Sequence, residues 1–225
     1  MRPVHALARV AGVEDLVQTP PLVAAEQQRP DVAAKRHDFH EWPIGRPDPD
    51  RFVFLDETWV KANMPRLYGW GPTPDRVIAS VPHGHWLTTT FLGALRPTGL
   101  MAPLVVDGAI NGAINGAIFR ADVEQQLVTV LKPGDIVVMD NLSSHEVAGV
   151  REAIERAGAE RVYRPPDRPD RNPIEPVFPK IKHEIRKRKP RTKPDCDRLC
   201  GECVDWFPPE QCRNYIRHAG YAPQD

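Results

Sequence analysis

The spacing of apolar residues changes several times along the chain, and each change marks an element. Arg51-Phe52-Val53-Phe54-Leu55-Asp56 is a short β-prone run. Val77–Val81 and Trp86–Leu95, the latter centred on Thr88-Thr89-Thr90-Phe91, follow it closely, which predicts a meander of three strands. Leu104-Val105-Val106-Asp107 reads as a further strand end. Phe119–Leu131 places Val123, Leu127, Val130 and Leu131 at helical spacing, and Lys132-Pro133-Gly134-Asp135 stops that helix. Ile136-Val137-Val138-Met139 then runs into Asp140 without a polar break, the pattern of a central strand buried on both faces. Val147–Ala157, closed by Gly158, predicts a helix, Arg161–Tyr163 a brief strand and Pro165–Pro173 a loop. Asn172 as N-cap, Pro173 at the first helical position and Glu175 three residues on predict a capping-box start to a helix that runs toward Arg188. The order βββ(β)αβαβα predicts an α/β fold with a mixed sheet flanked by helices.

Composition narrows the setting. With 225 residues, 41% hydrophobic and 27% charged, the chain is long enough for one sizeable core or two small ones and lies in the globular range. Lys plus Arg and Asp plus Glu both number 30, so the net charge of zero excludes a uniformly basic nucleic-acid coat. The 25 prolines, about twice average usage, cluster in residues 20–50 and 165–194. Residues 1–51 therefore read as a lead-in segment, partly helical over Val23–His40, without a complete helix-turn-helix. Residues 52–190 form the α/β domain and 191–225 a C-terminal helical extension. Charges within the first 20 residues break any signal-peptide core, and no stretch approaches 18 apolar residues, which argues against secretion and membrane spanning. All 4 cysteines follow position 195, too few for a disulfide scaffold, and a reducing cytoplasmic setting fits them. Ile110-Asn111-Gly112-Ala113 is copied as Ile114-Asn115-Gly116-Ala117; the duplication lacks the Gly-Lys-Ser/Thr ending of a phosphate loop.

Three acids stand where α/β folds build sites: Asp56 at the end of the first strand, Asp140 at the end of the central strand and Glu175 at a helix start. Taken singly, each is explained by a turn or a cap. Taken together, carboxylates from three separate elements suit a pair of divalent cations about 4 Å apart, as phosphoryl transfer between nucleic-acid strands requires.

Four motifs give that set a family context. Phe54-Leu55-Asp56-Glu57-Thr58-Trp59, Val81-Pro82-His83-Gly84-His85-Trp86, Val138-Met139-Asp140-Asn141-Leu142-Ser143-Ser144-His145 and Pro169-Asp170-Arg171-Asn172-Pro173-Ile174-Glu175 resemble, in order, the motifs of mariner-like bacterial insertion-sequence transposases of the DDE superfamily. The 34 residues between Asp140 and Glu175 match that group, and the resemblance runs from about Glu26 to Ala222. It implies an RNase H-like catalytic domain in which Asp56, Asp140 and Glu175 hold two Mg²⁺ or Mn²⁺ ions. It also implies cut-and-paste DNA transposition: nicking at element ends, then attack of the freed 3′-hydroxyl on a target, typically TA. A homodimer, a separate helix-turn-helix protein or domain and a bacterial nucleoid location follow from the same resemblance. Two rivals stand beside it, an inactive relict that only binds DNA and another RNase H-like nuclease.

Lys180, Lys182, Arg186, Lys187 and Arg188 open a basic block that continues through Lys189, Arg191 and Lys193, fit either to neutralise DNA phosphates or to form a solvated helix face. Asn141 and His145 suit water or phosphate as well as structural roles; His83 and His85 suit a turn as well as a metal, and do not join the site. Trp59, Trp70 and Trp86 read as core or wall residues. Cys196, Cys200, Cys203 and Cys212 are spaced irregularly for zinc, and small buried hydrophobes are the preferred account. Departures from the family pattern, Arg171 and the charges around it together with Pro176 and Pro179 in the predicted helix interior, point to a kinked third motif in a decaying copy.

Overall fold

The computed structural model describes residues 29, 48–66, 68, 71, 78, 88–108, 113–140, 148–164 and 171–221. The expected helical pattern at Val23–His40, the strand at Val77–Val81, Trp70, His83, His85, Trp86, Asn141, His145 and the charged loop at 165–170 lie outside these residues.

Five strands form one mixed sheet in the order β3-β2-β1-β4-β5: β1 (Phe52–Lys61), β2 (Thr88–Arg96), β3 (Gly99–Asp107), β4 (Ile136–Met139) and β5 (Glu160–Tyr163). β1, β2 and β3 are antiparallel neighbours, as short connections allow. β4 and β5 run parallel to β1 because helices carry the chain back between them. α1 (Ala113–Asp122) passes through a π turn (Val123–Leu127) into a last α turn (Val128–Val130). α2 (Val150–Arg156) follows β4, and α3 (Val177–Arg188), α4 (Lys193–Glu202) and α5 (Pro209–His218) close the order.

Alternation along β1 divides the interior in two. Phe52, Phe54 and Val60 face one core with Phe91, Leu95, Ile136 and Val138, covered by Ile174, Val177, Phe178 and Ile181. Leu199, Phe207, Ile216 and Tyr221 from the C-terminal segment complete that same core. Val53 and Leu55 face the other core with Leu92, Val137 and Met139, under Phe119, Val123, Leu127 and Ile154. Helices on both faces make β4 apolar at every position, the continuous run seen in the sequence.

Two local features depart from regular structure. Opposite Gly93 the β2–β3 ladder slips between Leu92 and Ala94, and Ala102 takes φ 47°, so β3 bulges at this point along β2. Asp122, at the junction of α1 with its π turn, is only 2% exposed and neither carboxylate oxygen has a hydrogen-bond partner. Burial lifts its pKa to about 7.

The helix carrying the third motif does not begin at Asn172. Residues 173–176 form tight turns, with the amides of Glu175 and Val177 donating to the carbonyls of Asn172 and Ile174 at 3.0 and 2.9 Å. Pro176 is the N-cap, with φ −66°, and Pro179 falls in the first turn of α3. Amides of the first turn have no carbonyl partner inside a helix, so neither proline removes a bond and no kink is imposed. All four cysteines are buried within the first core, and Cys212 Sγ donates to the Phe207 carbonyl at 3.7 Å.

Candidate active site

The ladder register builds the site. In the parallel pair β1–β4, Phe54 lies opposite Val138. Asp140 follows β4 two residues beyond Val138, in phase with Asp56 two residues beyond Phe54, and its charge reaches the Asp56 carboxyl. In β4–β5, Met139 lies opposite Tyr163, and the Arg164 amide continues that ladder by donating to the Met139 carbonyl at 2.8 Å. Arg164 is thus the neighbour of Asp140 on its other side. Three adjacent strands carry acid, acid and guanidinium in one transverse row.

Asp56, 7% exposed, is held from several sides. Its Oδ1 accepts the Glu57 amide at 2.8 Å. Its Oδ2 accepts Asn172 Nδ2 at 2.5 Å and lies 3.7 Å from Arg164 Nη2. Burial drives its pKa up to about 7; Arg164 pulls it down, the charges of Glu57 and Asp140 push it up, and the Glu57 amide pulls it down again. On β2, Gly93 is the residue paired with Asp56. A Cβ there would stand 2.9 Å from the Phe91 ring, so only glycine fits that flank.

Glu175 sits half-buried in the turns before α3, fixed between Asn172 on Asp56 and Ile174 in the core. Among the described residues no group of three or more His, Cys, Asp or Glu side chains is gathered closely enough to hold a metal ion. Asp56, Asp140 and Glu175 come from three separate segments, β1, the residue after β4 and the turns before α3. The segment before Glu175 is anchored from the C-terminal segment. Arg171 Nη1 donates to the Ala219 carbonyl at 2.9 Å, and Tyr221 Oη donates to the Arg171 carbonyl at 3.1 Å. The Tyr221 ring packs edge-on against Phe52 and Phe54, at 5.2 and 4.6 Å between centroids. Arg171, expected from the sequence to disturb this motif, is one of its fastenings.

The basic block divides according to what each side chain touches. Lys180 donates to the Trp206 carbonyl and Gln211 Oε1 at 2.5 and 2.6 Å and lies over the Phe207 ring, so it fastens α3 to the C-terminal segment. Arg188 stacks on Trp206 and lies 3.9 and 3.7 Å from Glu184 and Glu202, while Lys187, exposed, lies 3.7 Å from Glu184. Lys182 projects over Trp59 at 4.6 Å, and Lys61 approaches the same ring at 5.6 Å. Burial holds the Lys182 pKa below the ordinary lysine value, Arg186 lowers it further, and Glu175 offsets part of the effect. Arg186 is half-buried, and its Nε has no hydrogen-bond partner. Trp59, expected in the core or a wall, is 52% exposed, because its face of β1 runs past the helices that cover Val53 and Leu55.

Sequence reasoning missed Arg164, Gly93 and Tyr221. Only Arg164 left a signal, being the residue that follows a strand parallel to the one ending at Asp140.

The family model of the DDE superfamily endonucleases matches residues 51–197. No curated protein matches the sequence. Among solved structures, the mariner Mos1 paired end complex with Mg superposes with a TM-score of 0.71 at 16% identity, over 92% of this chain and 65% of that one. The Mos1 transposase paired-end complex with left transposon end gives 0.69 at 15%, over 92% and 64%. The catalytic domain of Mos1 mariner transposase gives 0.57 at 14%, over 90% and 91%. The likeness is one of fold, RNase H-like, and the chain spans slightly less than two thirds of the Mos1 chains in those paired-end complexes.

Proposed function

The chain belongs to the DDE superfamily endonucleases, and from that premise we propose that it is the catalytic domain of a cut-and-paste DNA transposase. The observation that carries the reading is that Asp56, in β1, and Asp140, just after the parallel neighbouring strand β4, lie close enough for their charges to interact, inside the segment that the family model matches. Two carboxylates so placed repel each other, and that crowding adds to the burial that raises the pKa of Asp56. Their hard oxygen donors fit Mg²⁺ or Mn²⁺. Asp56 and Asp140 would hold the ions, with Glu175 from the turn before α3 as the third ligand. When bound, such ions lower the pKa of an attacking water or 3′-hydroxyl and stabilise the leaving oxygen.

The protein's own residues bind and aim. Asn172 fixes the Asp56 carboxylate, and Glu175 would reach the ions from the turns that follow it. Lys61, Arg66, Lys182, Arg186 and Lys187 form a cationic flank beside Glu175, suited to a DNA backbone, with Trp59 exposed among them for contact with a sugar or base. Lys180 and Arg188, engaged within the protein, contribute charge at longer range. Two element ends require two such sites, which calls for a homodimer; recognition of end sequences falls to a helix-turn-helix module, the target is TA, and the nucleoid is the place of action. Among the described residues no helix is long and apolar enough to cross a membrane.

The test is Mn²⁺-dependent nicking of supercoiled plasmid by the purified chain beside Asp140→Ala, followed by strand transfer of an element end into a TA-containing target. Nicking lost in the variant supports the reading; nicking that survives it, in a protein free of contaminating nuclease, refutes it. A second reading is a chain that keeps the fold and binds DNA without cutting. A folded wild-type protein that retards DNA but never nicks it would establish it.

A further inference from the structure

Resting on that reading of the carboxylate pair, we infer that Arg164 is a built-in counter-cation of Asp56 and Asp140, which competes with the divalent ions for them and is displaced when they bind.

The geometry of the row leads there. Arg164 follows β5, and the Met139 carbonyl fixes its amide, so its side chain starts beside Asp140 on the face that also carries Asp56. Its Nη2 nevertheless lies 3.7 Å from Asp56 Oδ2, one strand further on. To span two strand spacings the guanidinium must extend across the Asp140 position. Only 7% of the residue is exposed. A guanidinium stays charged at every accessible pH and is tolerated inside a protein only against acceptors. Asp56 supplies one, and the arginine's charge opposes the Asp140 charge that acts on the same carboxyl. Asn172 occupies Asp56 Oδ2 from the other side, and the Glu57 amide occupies Oδ1.

A divalent ion entering between the aspartates meets that positive charge at close range. The two cannot share the pair, because like charges set side by side in a site of low dielectric repel strongly. Arg164 therefore keeps the metal-free protein folded and weakens its hold on metal.

The experiment uses the full chain and Mn²⁺ alone, with free Mn²⁺ read from its paramagnetic resonance signal and thermal melts run in parallel. Arg164→Gln should bind Mn²⁺ about tenfold more tightly than wild type, the order expected on removing a like charge a few ångströms from an ion. Its metal-free melting temperature should fall, and Mn²⁺ should raise it by more than in wild type. A residue serving only as a structural pin would lose stability and metal affinity together, so a folded Arg164→Gln that binds Mn²⁺ no better than wild type overturns the inference. Should that variant not fold, the wild-type protein decides: the Arg164 Nε resonance must move on addition of Mg²⁺, with the midpoint of ion binding, and a resonance that stays in place overturns the inference as well. Asp140→Asn separates the ion site from the role of Arg164. Mn²⁺ binding undiminished in Asp140→Asn refutes the carboxylate pair as the ion site, whereas binding lost there but unchanged in Arg164→Gln refutes only the role of Arg164.

Discussion

Asp122 offers the sharpest test of the energetics. Its carboxyl is buried where α1 enters the π turn, without a hydrogen-bond partner, and its pKa is lifted from 3.8 to about 7 by burial. Proton counting gives the sign. Between pH 4 and 7 the native state keeps the proton while the unfolded chain has lost it, so the native state binds more protons and stability falls as pH rises. The loss begins near the unfolded pKa and is complete above the folded one. At 1.36 kcal/mol per pKa unit it amounts to about 4 kcal/mol. Asp122→Asn imitates the protonated acid and carries no such penalty. The variant should match wild type near pH 4 and exceed it by about 4 kcal/mol at pH 8, or by roughly 8–16 °C in melting temperature for a chain of this size. Paired urea or thermal melts at pH 4.5, 6 and 8 measure the gap. A gap that does not grow between pH 4.5 and 8 would show that the carboxylate is paired or hydrated and that burial does not govern it.

Four further perturbations are specific. Tyr221→Phe removes the hydrogen bond to the Arg171 carbonyl but keeps the ring against Phe52 and Phe54; it should cost about 1 kcal/mol in urea unfolding and slow plasmid nicking while leaving DNA affinity unchanged. Gly93→Ala sets a Cβ 2.9 Å from the Phe91 ring and should destabilise by about 1–3 kcal/mol in thermal melts. Lys182→Ala should lower the salt dependence of DNA binding by about one unit of slope, whereas Lys180→Met, which removes an ammonium engaged with Trp206 and Gln211, should lower the melting temperature and leave that slope unchanged.

How much of the fold and site is legible in the sequence depends on whether the signal is local. The apolar run at Ile136–Met139 announces a strand covered on both faces because helices on both sides leave no polar position. Asn172 through Glu175 spell a capping box, yet the structure uses Asn172 on Asp56 and delays the helix to Val177. A local pattern cannot show that a partner 116 residues away competes for the same side chain. The same limit hides the fate of Arg171 and Lys180, whose acceptors lie on the C-terminal segment. The aspartates are identifiable from their chemistry, but their adjacency is a matter of register, which only the ladder reveals. Pro179 reads as damaging only when the helix is started at Asn172, five residues before α3 begins.

The fastening of Tyr221 has a consequence for when the protein becomes competent. Phe52 and Phe54, on the strand that carries Asp56, are covered by a ring that is made last among the residues of the site, and Arg171 is held by the same stretch. Contacts this distant in sequence close slowly, and a nascent chain acquires its N-terminal parts first. The Tyr221 ring therefore joins Phe52 and Phe54 late in folding, after β1 has taken its place in the sheet, and the setting of the Asp56 strand is completed from the far end of the fold.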